Sequence, residues 1–437
     1  MVYLPHWPIP STLGKKQIDY ETVFERMAIV LEKLGNPHQK LPPVIHVSGT
    51  NGKGSATSLI AEIFTQAGYK THIYTSPHLH NCNERIVLAG EKISDNFLYE
   101  IMEETRIAAQ ETPLTFMESF TIGAFLAFSK IPADVAIIEC GMGGRIDATN
   151  IIEQKLATLI MPISFDHVEY LGNAIERIAL EKAMIMRPQT PLIVASQPQK
   201  AREIIEILAR DQNVKTYFYD EDFEVMMDED SGEFDLRFEE QIFENLPCPA
   251  LRGSHQYINF ATAISAVLAI REKFKIDENH IRQAISKVYW PSRLEKISNN
   301  LQKLLKNSED ELLIDGAHNE AGAFALARFI TEQNDDKKNF IICGFSRNKC
   351  KKEFLEKFRN VAEVIAVRVD GEPYPESAER ISEIGAEIGM EIFAAEDLLE
   401  AIYHITKNSN QPCRVIICGS LHLARDVKKF SRMNLIN

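Results

Sequence analysis

The stretch that decides the reading is Val44-Ile45-His46-Val47-Ser48-Gly49-Thr50-Asn51-Gly52-Lys53-Gly54-Ser55. Its first part is β-branched and apolar (Val44, Ile45, Val47), as a buried parallel strand requires. Gly49, Gly52 and Gly54 break that run, and Ala56-Thr57-Ser58-Leu59-Ile60-Ala61-Glu62-Ile63-Phe64 continues in a helical pattern. Strand, glycine loop and helix in this order aim backbone N–H groups and a helix N-terminus at one point, which suits a phosphate. Lys53 adds a mobile positive charge for β- and γ-phosphates, and Ser55 a hydroxyl for Mg²⁺. The spacing departs from the standard P-loop, because Gly54 stands between the lysine and the hydroxyl residue and three residues separate Gly49 from Lys53. A glycine-rich turn that binds nothing is the alternative. Glycines, lysine and serine concentrated between a strand and a helix favour nucleotide binding over it.

At 437 residues the chain is long enough for two domains, each with a sizeable core. Hydrophobic and charged contents of 45% and 25% are ordinary for a globular protein. The net charge of −14 repels nucleic acid and anionic membrane, so neither is expected as a partner. No apolar run approaches the ~20 residues that span a bilayer. The segment Met1 to Lys16, with Pro5, Pro8 and Pro10 and no apolar core, does not read as a signal peptide. Seven cysteines occur without C-x-x-C spacing, several in apolar runs (Cys140, Cys343, Cys418), and read as reduced thiols of a cytoplasmic protein.

Upstream of the glycine loop an amphipathic helix is predicted over 18–34, ended by Gly35-Asn36-Pro37. Downstream, strands over 71–75, 135–138, 156–163 and 192–195 alternate with helices over 97–110, 116–130 and 175–186. Residues 80–95 read as a polar loop. The alternation implies an α/β fold, a P-loop parallel sheet covered on both faces. Ligands of such sheets bind at the carboxyl ends of the strands. Gly49 to Ser55, Ser76, Glu139 and His167 all fall at such ends.

Aromatic and polar residues alternate over 216–243, around Asp228 to Gly232, and predict a small antiparallel insertion. The acids there lack EF-hand spacing and read as a solvated turn. Helices over 257–274 and 281–288 follow, then a polar stretch between Arg293 and Leu312. Strands over 312–315, 340–344, 364–369 and 415–419, alternating with helices, predict a second, smaller Rossmann-like α/β domain. The expected division is 1–297 and 298–437.

Some of these positions carry chemistry in their own right. Glu139 ends an aliphatic strand, where P-loop ATPases keep an acid for Mg²⁺ or the attacking water; a salt-bridged glutamate is the bland alternative. His167, after Asp166, is either a metal ligand or a helix cap, and nitrogen ligands to Mg²⁺ are uncommon. Lys182 lies in a largely apolar helix and by composition is a snorkelling structural lysine. Arg293, beside the linker, clamps a phosphate or pairs with an acid, and Asp315 ends the first strand of the second domain.

These residues sit in longer motifs. They are Ser48-Gly49-Thr50-Asn51-Gly52-Lys53-Gly54-Ser55, Thr75-Ser76-Pro77-His78-Leu79 with Asn83-Glu84-Arg85-Ile86, and Glu139-Cys140-Gly141-Met142-Gly143-Gly144-Arg145-Ile146-Asp147-Ala148-Thr149-Asn150. Phe165-Asp166-His167, Glu181-Lys182-Ala183, Gly253-Ser254-His255-Gln256 with Asn259, Pro291-Ser292-Arg293 and Asp315-Gly316-Ala317-His318-Asn319 follow in order. With them the chain resembles the folylpolyglutamate synthase and dihydrofolate synthase family, a branch of the Mur ligase superfamily. That resemblance implies an ATP-dependent amide ligase joining L-glutamate to a dihydropteroate or reduced folate carboxylate through an acyl phosphate.

By the same resemblance Asn51, Gly52, Lys53, Gly54 and Ser55 surround the ATP phosphates, and Asn259, Arg293 and Asp315 contact ATP, the last across an interdomain cleft. Ser76, Glu139 and His167 would hold Mg²⁺, with two ions expected, and Lys182 matches the lysine that the family carries as a carbamate. Asp19, Thr115 and Ile146 would line the pteroate site. Lys53, Lys182, Glu139 and His167 are the expected catalytic set, in a cytoplasmic monomer. Met184 departs from the family's glycine, and Phe345 to Lys349 and His422 depart from its second-domain motifs. A ligase of peptidoglycan precursors is disfavoured by the Ser76-Pro77-His78 and Gly141 to Arg145 motifs and by the lack of a separate N-terminal nucleotide-sugar domain. A GTP switch is disfavoured because Asn348-Lys349-Cys350-Lys351 lacks the guanine-reading aspartate.

Overall fold

Ile45 and Val47 expose no surface, because the strand that carries them is covered on both faces. The computed structural model describes residues 20–298, 300–347, 349, 351–372 and 374–430; Asp19 lies outside them. Its main chain forms two compact units, one running to Ala250 and including Gln256–Tyr289, the other made of Leu251–His255 and the chain from Trp290. The division falls ahead of the 297/298 boundary expected from the polar stretch.

The first unit is built on β1 (Val44–Ser48), β2 (Thr71–Tyr74), β3 (Ile86–Leu88), β4 (Glu91–Lys92), β5 (Val135–Glu139), β6 (Ala157–Ile160), β7 (Leu192–Val194) and β8 (Thr216–Phe218). They form one sheet in the order β4-β3-β2-β5-β1-β6-β7-β8. From β2 to β8 in that order the neighbours pair in parallel. The sheet is not parallel throughout: β3 and β4 pair antiparallel at one edge, in the stretch expected to be a polar loop. Residues 216–218 likewise extend the main sheet instead of opening the insertion. The insertion itself is β9 (Phe223–Met227), β10 (Phe234–Phe238) and β11 (Gln241–Leu246), an antiparallel sheet of its own.

Helices α1 (Val23–Lys33), α2 (Lys53–Gln66), α3 (Asp95–Ala109), α4 (Phe116–Lys130), α5 (Val168–Leu171), α6 (Ile175–Ala183), α7 (Gln199–Asp211), α8 (His255–Leu268) and α9 (Glu278–Lys287) complete it. Met27, Leu31, Ile101, Phe120 and Phe125 pack as one apolar cluster with Ala136 and Ile138 of the sheet. Ile178, Ala183, Ile205 and Val194 form another. Burial of such side chains stabilises each layer by roughly 1.5–3 kcal/mol per large residue.

The second unit has the strands β12 (Glu295–Lys296), β13 (Glu311–Ile314), β14 (Lys338–Cys343), β15 (Glu363–Val367), β16 (Ile392–Ala395) and β17 (Cys413–Cys418) in the order β12-β13-β17-β14-β15-β16. All pair in parallel except β12, which runs antiparallel to β13. Leu313, Ile341, Ile416 and Phe354 lie in its own core. Among the described residues no helix is long and apolar enough to cross a membrane.

Candidate active site

The glycine loop owes its shape to positions that only glycine fits. Gly49 has φ +138°, and a Cβ there would lie 2.6 Å from Met161 Cβ. Gly52, the N-cap of α2, has φ +83°, and a Cβ there would lie 2.3 Å from Asn259 Oδ1. Asn259 is itself buried and donates to Gln256 Oε1 at 3.0 Å. The loop is stitched to the tip of β6: the Thr50 and Asn51 N–H groups donate to Pro162 O, and the Thr50 hydroxyl donates to Ser164 O at 3.1 Å. Ser48 Oγ donates to Gly143 O at 2.8 Å and fixes the loop beyond β5 as well.

Three side chains converge on this turn. Lys53 Nζ donates to Gly49 O (3.2 Å) and Thr50 O (3.1 Å) and lies 3.9 Å from Glu139 Oε1. Lys182 Nζ reaches the same Gly49 carbonyl at 2.9 Å from α6 and is wholly buried. Burial, then the neighbouring Lys53 charge, pushes the Lys182 ammonium down to about 7. A buried lysine whose amine is neutral in about half the molecules near pH 7 can act as a nucleophile, unlike a snorkelling surface group. Ser55 Oγ is buried with no hydrogen-bond partner among the described residues. An orphan hydroxyl in the first turn behind a glycine cradle, flanked by Lys53, fits a phosphate with its metal ion.

The expected metal ligands stand at the tips of β2, β5 and β6, and the β1 glycine loop lies between the last two. A Cβ on Gly141 would meet Met117 Cε at 2.9 Å, Asp147 Oδ2 at 3.3 Å and Ser76 Oγ at 3.6 Å, so Ser76 joins the turn that follows Glu139. His167 takes a left-handed φ of 50° as the N-cap of α5; its Nε2 is 3.9 Å from Asp166 Oδ2. Among the described residues no group of three or more His, Cys, Asp or Glu side chains is arranged to hold a metal. Ser55, Ser76 and Glu139 offer oxygen donors of the kind Mg²⁺ prefers, and His167 a nitrogen.

Residues 47–267 match the Mur ligase middle domain, and residues 295–430 the C-terminal domain of dihydrofolate synthetase. A probable dihydrofolate synthetase of Schizosaccharomyces pombe is 30% identical over 94% of this chain and 98% of its own length. The chain belongs to the dihydrofolate synthase/folylpolyglutamate synthase family. The Bacillus subtilis dihydrofolate synthase/folylpolyglutamate synthase is also 30% identical, over 95% of this chain and 96% of its own. Among solved structures, Escherichia coli FolC in complex with DHPP and ADP superposes with a TM-score of 0.84 at 26% identity, covering 96% of this chain and 95% of that one. A bifunctional synthase with Mn, AMPPNP and L-glutamate bound superposes with a TM-score of 0.80 at 25% identity, over 93% of each chain.

The remaining residues expected from the synthase family take structural positions of their own. Thr115 caps α4: its hydroxyl accepts the Glu118 N–H at 3.2 Å. Ile146 is partly buried against the core that contains Phe120. In the second unit Arg293 and Asp315 are brought together, Asp315 accepting the Leu294 N–H (2.9 Å) and the Ala317 N–H (2.8 Å). Burial raises the Asp315 carboxyl above its ordinary value, and the Arg293 charge opposes that rise.

Two further residues of this synthase fold have no role legible in the sequence. Arg85 is 6% exposed, donates to His78 Nδ1 at 2.9 Å, and lies over the Phe116 and Phe120 rings. Asp147 is equally enclosed, accepting from Met142 N and from the Thr149 hydroxyl. Arg85 stands in a stretch that reads as a polar loop, and nothing in its spacing points inward; it and Asp147 are visible only as parts of motifs.

Proposed function

We propose that this chain uses ATP to join L-glutamate, in amide linkage, to the carboxyl group of dihydropteroate, and to reduced folates as a second acceptor class. The observation that carries this is the meeting of Lys53 and Lys182 on the Gly49 carbonyl, with the Glu139 carboxylate 3.9 Å from Lys53, beside a buried cradle shaped for phosphate. The match of residues 295–430 to a dihydrofolate synthetase C-terminal domain supports dihydropteroate as acceptor. The equal identity to a bifunctional Bacillus relative favours the second reading, folate glutamylation.

A free carboxylate is a poor acyl donor, so phosphorylation by ATP makes an acyl phosphate. The neutral amine of glutamate attacks its carbonyl carbon, the C–O bond to phosphate breaks, and inorganic phosphate leaves. Lys53 follows the charge that develops on the transferred phosphoryl oxygens. Ser55, Ser76, Glu139 and His167 would hold Mg²⁺, two ions in all, which supplies further neutralisation of the phosphates. Lys182, as a neutral amine, adds to CO₂ with loss of one proton, and the resulting carbamate is an anion beside the Lys53 cation. Asn259 completes the nucleotide site of the first unit; the second unit supplies the glutamate site and carries Arg293 and Asp315, the residues expected to contact ATP.

The test is ADP formation with dihydropteroate and tetrahydrofolate supplied side by side, each with and without glutamate. ADP release that needs both acceptor and glutamate is expected, and Lys53→Ala should abolish it. ADP release independent of the acceptor would overturn the ligase reading.

A further inference from the structure

The first turn of α1 and the short turn before it are each fastened through an arginine. Arg26 Nη2 and Nε meet Glu118 Oε1 and Oε2 at 2.7 and 3.2 Å. Its Nη1 donates to the Thr22 hydroxyl at 2.5 Å. The Glu118 side chain is 3% exposed, and Oε2 also accepts the Thr115 N–H at 3.2 Å. Arg26 therefore locks the capping box that holds Thr115 in place.

On the other side, Arg145 Nη1 and Nη2 meet the two Glu21 carboxylate oxygens at 3.0 and 2.9 Å. Its Nε meets Glu181 Oε1 at 2.9 Å, and its backbone N–H donates to Glu181 O at 2.7 Å. Ile146, the next residue, is thus tied both to α6 and to the segment that opens α1. One planar guanidinium, with five N–H donors in a fixed fork, can serve two carboxylates at once; a lysine ammonium cannot do so in that geometry. Thr115 and Ile146 stand within two residues of Met117 and Asp147, which meet Ser76 at Gly141, and these partners of the two arginines lie on α4, α6 and the segment before α1.

We propose that Arg26 and Arg145 are positioning residues for the acceptor. Through Glu118 and through Glu21 with Glu181 they hold the Thr115 and Ile146 walls of the acceptor pocket at a fixed separation, while the nucleotide cradle keeps its shape without them. This rests on the ligase reading above and on the acceptor lying between those walls. An acceptor bound against misplaced walls loses affinity, whereas ATP and glutamate do not sense the change.

Steady-state kinetics with dihydropteroate, ATP and glutamate varied in turn test it on the full chain. In Arg145→Lys and Arg26→Gln the KM for dihydropteroate should rise about tenfold, with the KM values for ATP and glutamate and the kcat at saturation moving less than about twofold. Glu21 is 64% exposed, so Glu21→Gln folds normally. It should raise the same KM alone, by about threefold. An unmoved dihydropteroate KM in Glu21→Gln and Arg145→Lys, or a common rise of all three KM values, overturns the proposal. If the wild-type chain turns over normally in that case, only the clasp has failed. A wild-type chain without acceptor-dependent ADP release overturns the ligase reading and the clasp together.

Discussion

At Gly52 two constraints coincide, a left-handed φ of +83° and an Asn259 oxygen 2.3 Å from where a Cβ would sit. Gly52→Ala should therefore displace Asn259 and the start of α2, and weaken ADP binding at least about tenfold, or ~1.4 kcal/mol, by calorimetric titration. Unchanged affinity would mean that phosphate does not sit on this turn. Lys182 gives a second test at this scale. Its ammonium falls from the ordinary 10.5 to about 7, burial first and Lys53 second. Between those values the unfolded chain holds a proton that the folded chain lacks, so stability rises with pH from about 7 towards 10.5. Lys182→Met should flatten that slope in urea unfolding at pH 7 and pH 9, in buffer free of CO₂ and metal. A slope identical to wild type would show that Lys182 keeps its proton when buried. Residues at strand tips such as Glu139 are legible because an acid that closes an aliphatic run gains nothing from packing and needs a cation beside it. Lys182 is legible only through its motif, since composition cannot distinguish a lysine that snorkels outward from one that reaches Gly49 inside.

Among the elements, the long periodic ones are readable and the short ones are not. The helices over 23–33, 53–66 and 116–130 follow their apolar spacing closely. The edge strands β3, β4, β12 and β16 span two to four residues each, too few to register as a period of two. Helix α7 buries Ala201, Ile205 and Ala209, a face whose alanines give a weak apolar signal. The end of α6 shows a different kind of illegibility. Where the family has glycine, Met184 takes φ −67°, and no left-handed cap forms. The last helical carbonyls are met by the N–H groups of Met184, Ile185 and Met186, and the carbonyls of those three residues are met from elsewhere in the chain. Arg187 donates to Met184 O, Ile185 O and Met186 O, Lys155 to Ile185 O at 2.7 Å, and Asn150 to Met184 O. Met184 O and Ile185 O keep Asn150 and Lys155 without the guanidinium, but Met186 O, Asn150 O and Ile152 O lose the Arg187 donor, so Arg187→Ala should destabilise the first unit by about 1–3 kcal/mol, with partial recovery in Arg187→Lys. A loss below about 0.5 kcal/mol in urea unfolding would place Arg187 among ordinary surface residues.

For the molecule as a whole, the alternation of strands and helices announces two α/β bodies, but the place where one passes to the other is hidden. β12 is a two-residue strand inside what reads as linker, and it joins the second sheet by pairing with β13. Leu251–His255 belongs to the second unit although the chain on either side belongs to the first, a contribution no local pattern reveals. Each unit has its own apolar core, so each is expected to unfold as its own cooperative block. The second unit offers a handle that leaves the nucleotide cradle untouched. Arg414, on β17, is 2% exposed and donates to Glu311 Oε2 at 3.0 Å, to Asp335 Oδ2 at 2.5 Å and to Asn339 Oδ1 at 3.2 Å. Arg414→Met keeps the bulk but removes the charge-assisted hydrogen bonds of a buried guanidinium; Glu311 keeps Lys337 at 3.4 Å and Asp335 is 36% exposed, so the cost is about 1–3 kcal/mol. Differential scanning calorimetry should then show the second unit melting earlier while the first keeps its transition. ADP at a hundredfold excess over its Kd should still raise that first transition, by the equivalent of ~2.7 kcal/mol. If one transition moves as a single block, with ADP rescuing the Arg414→Met loss in full, the two cores are energetically one and the phosphate site reports on the entire chain.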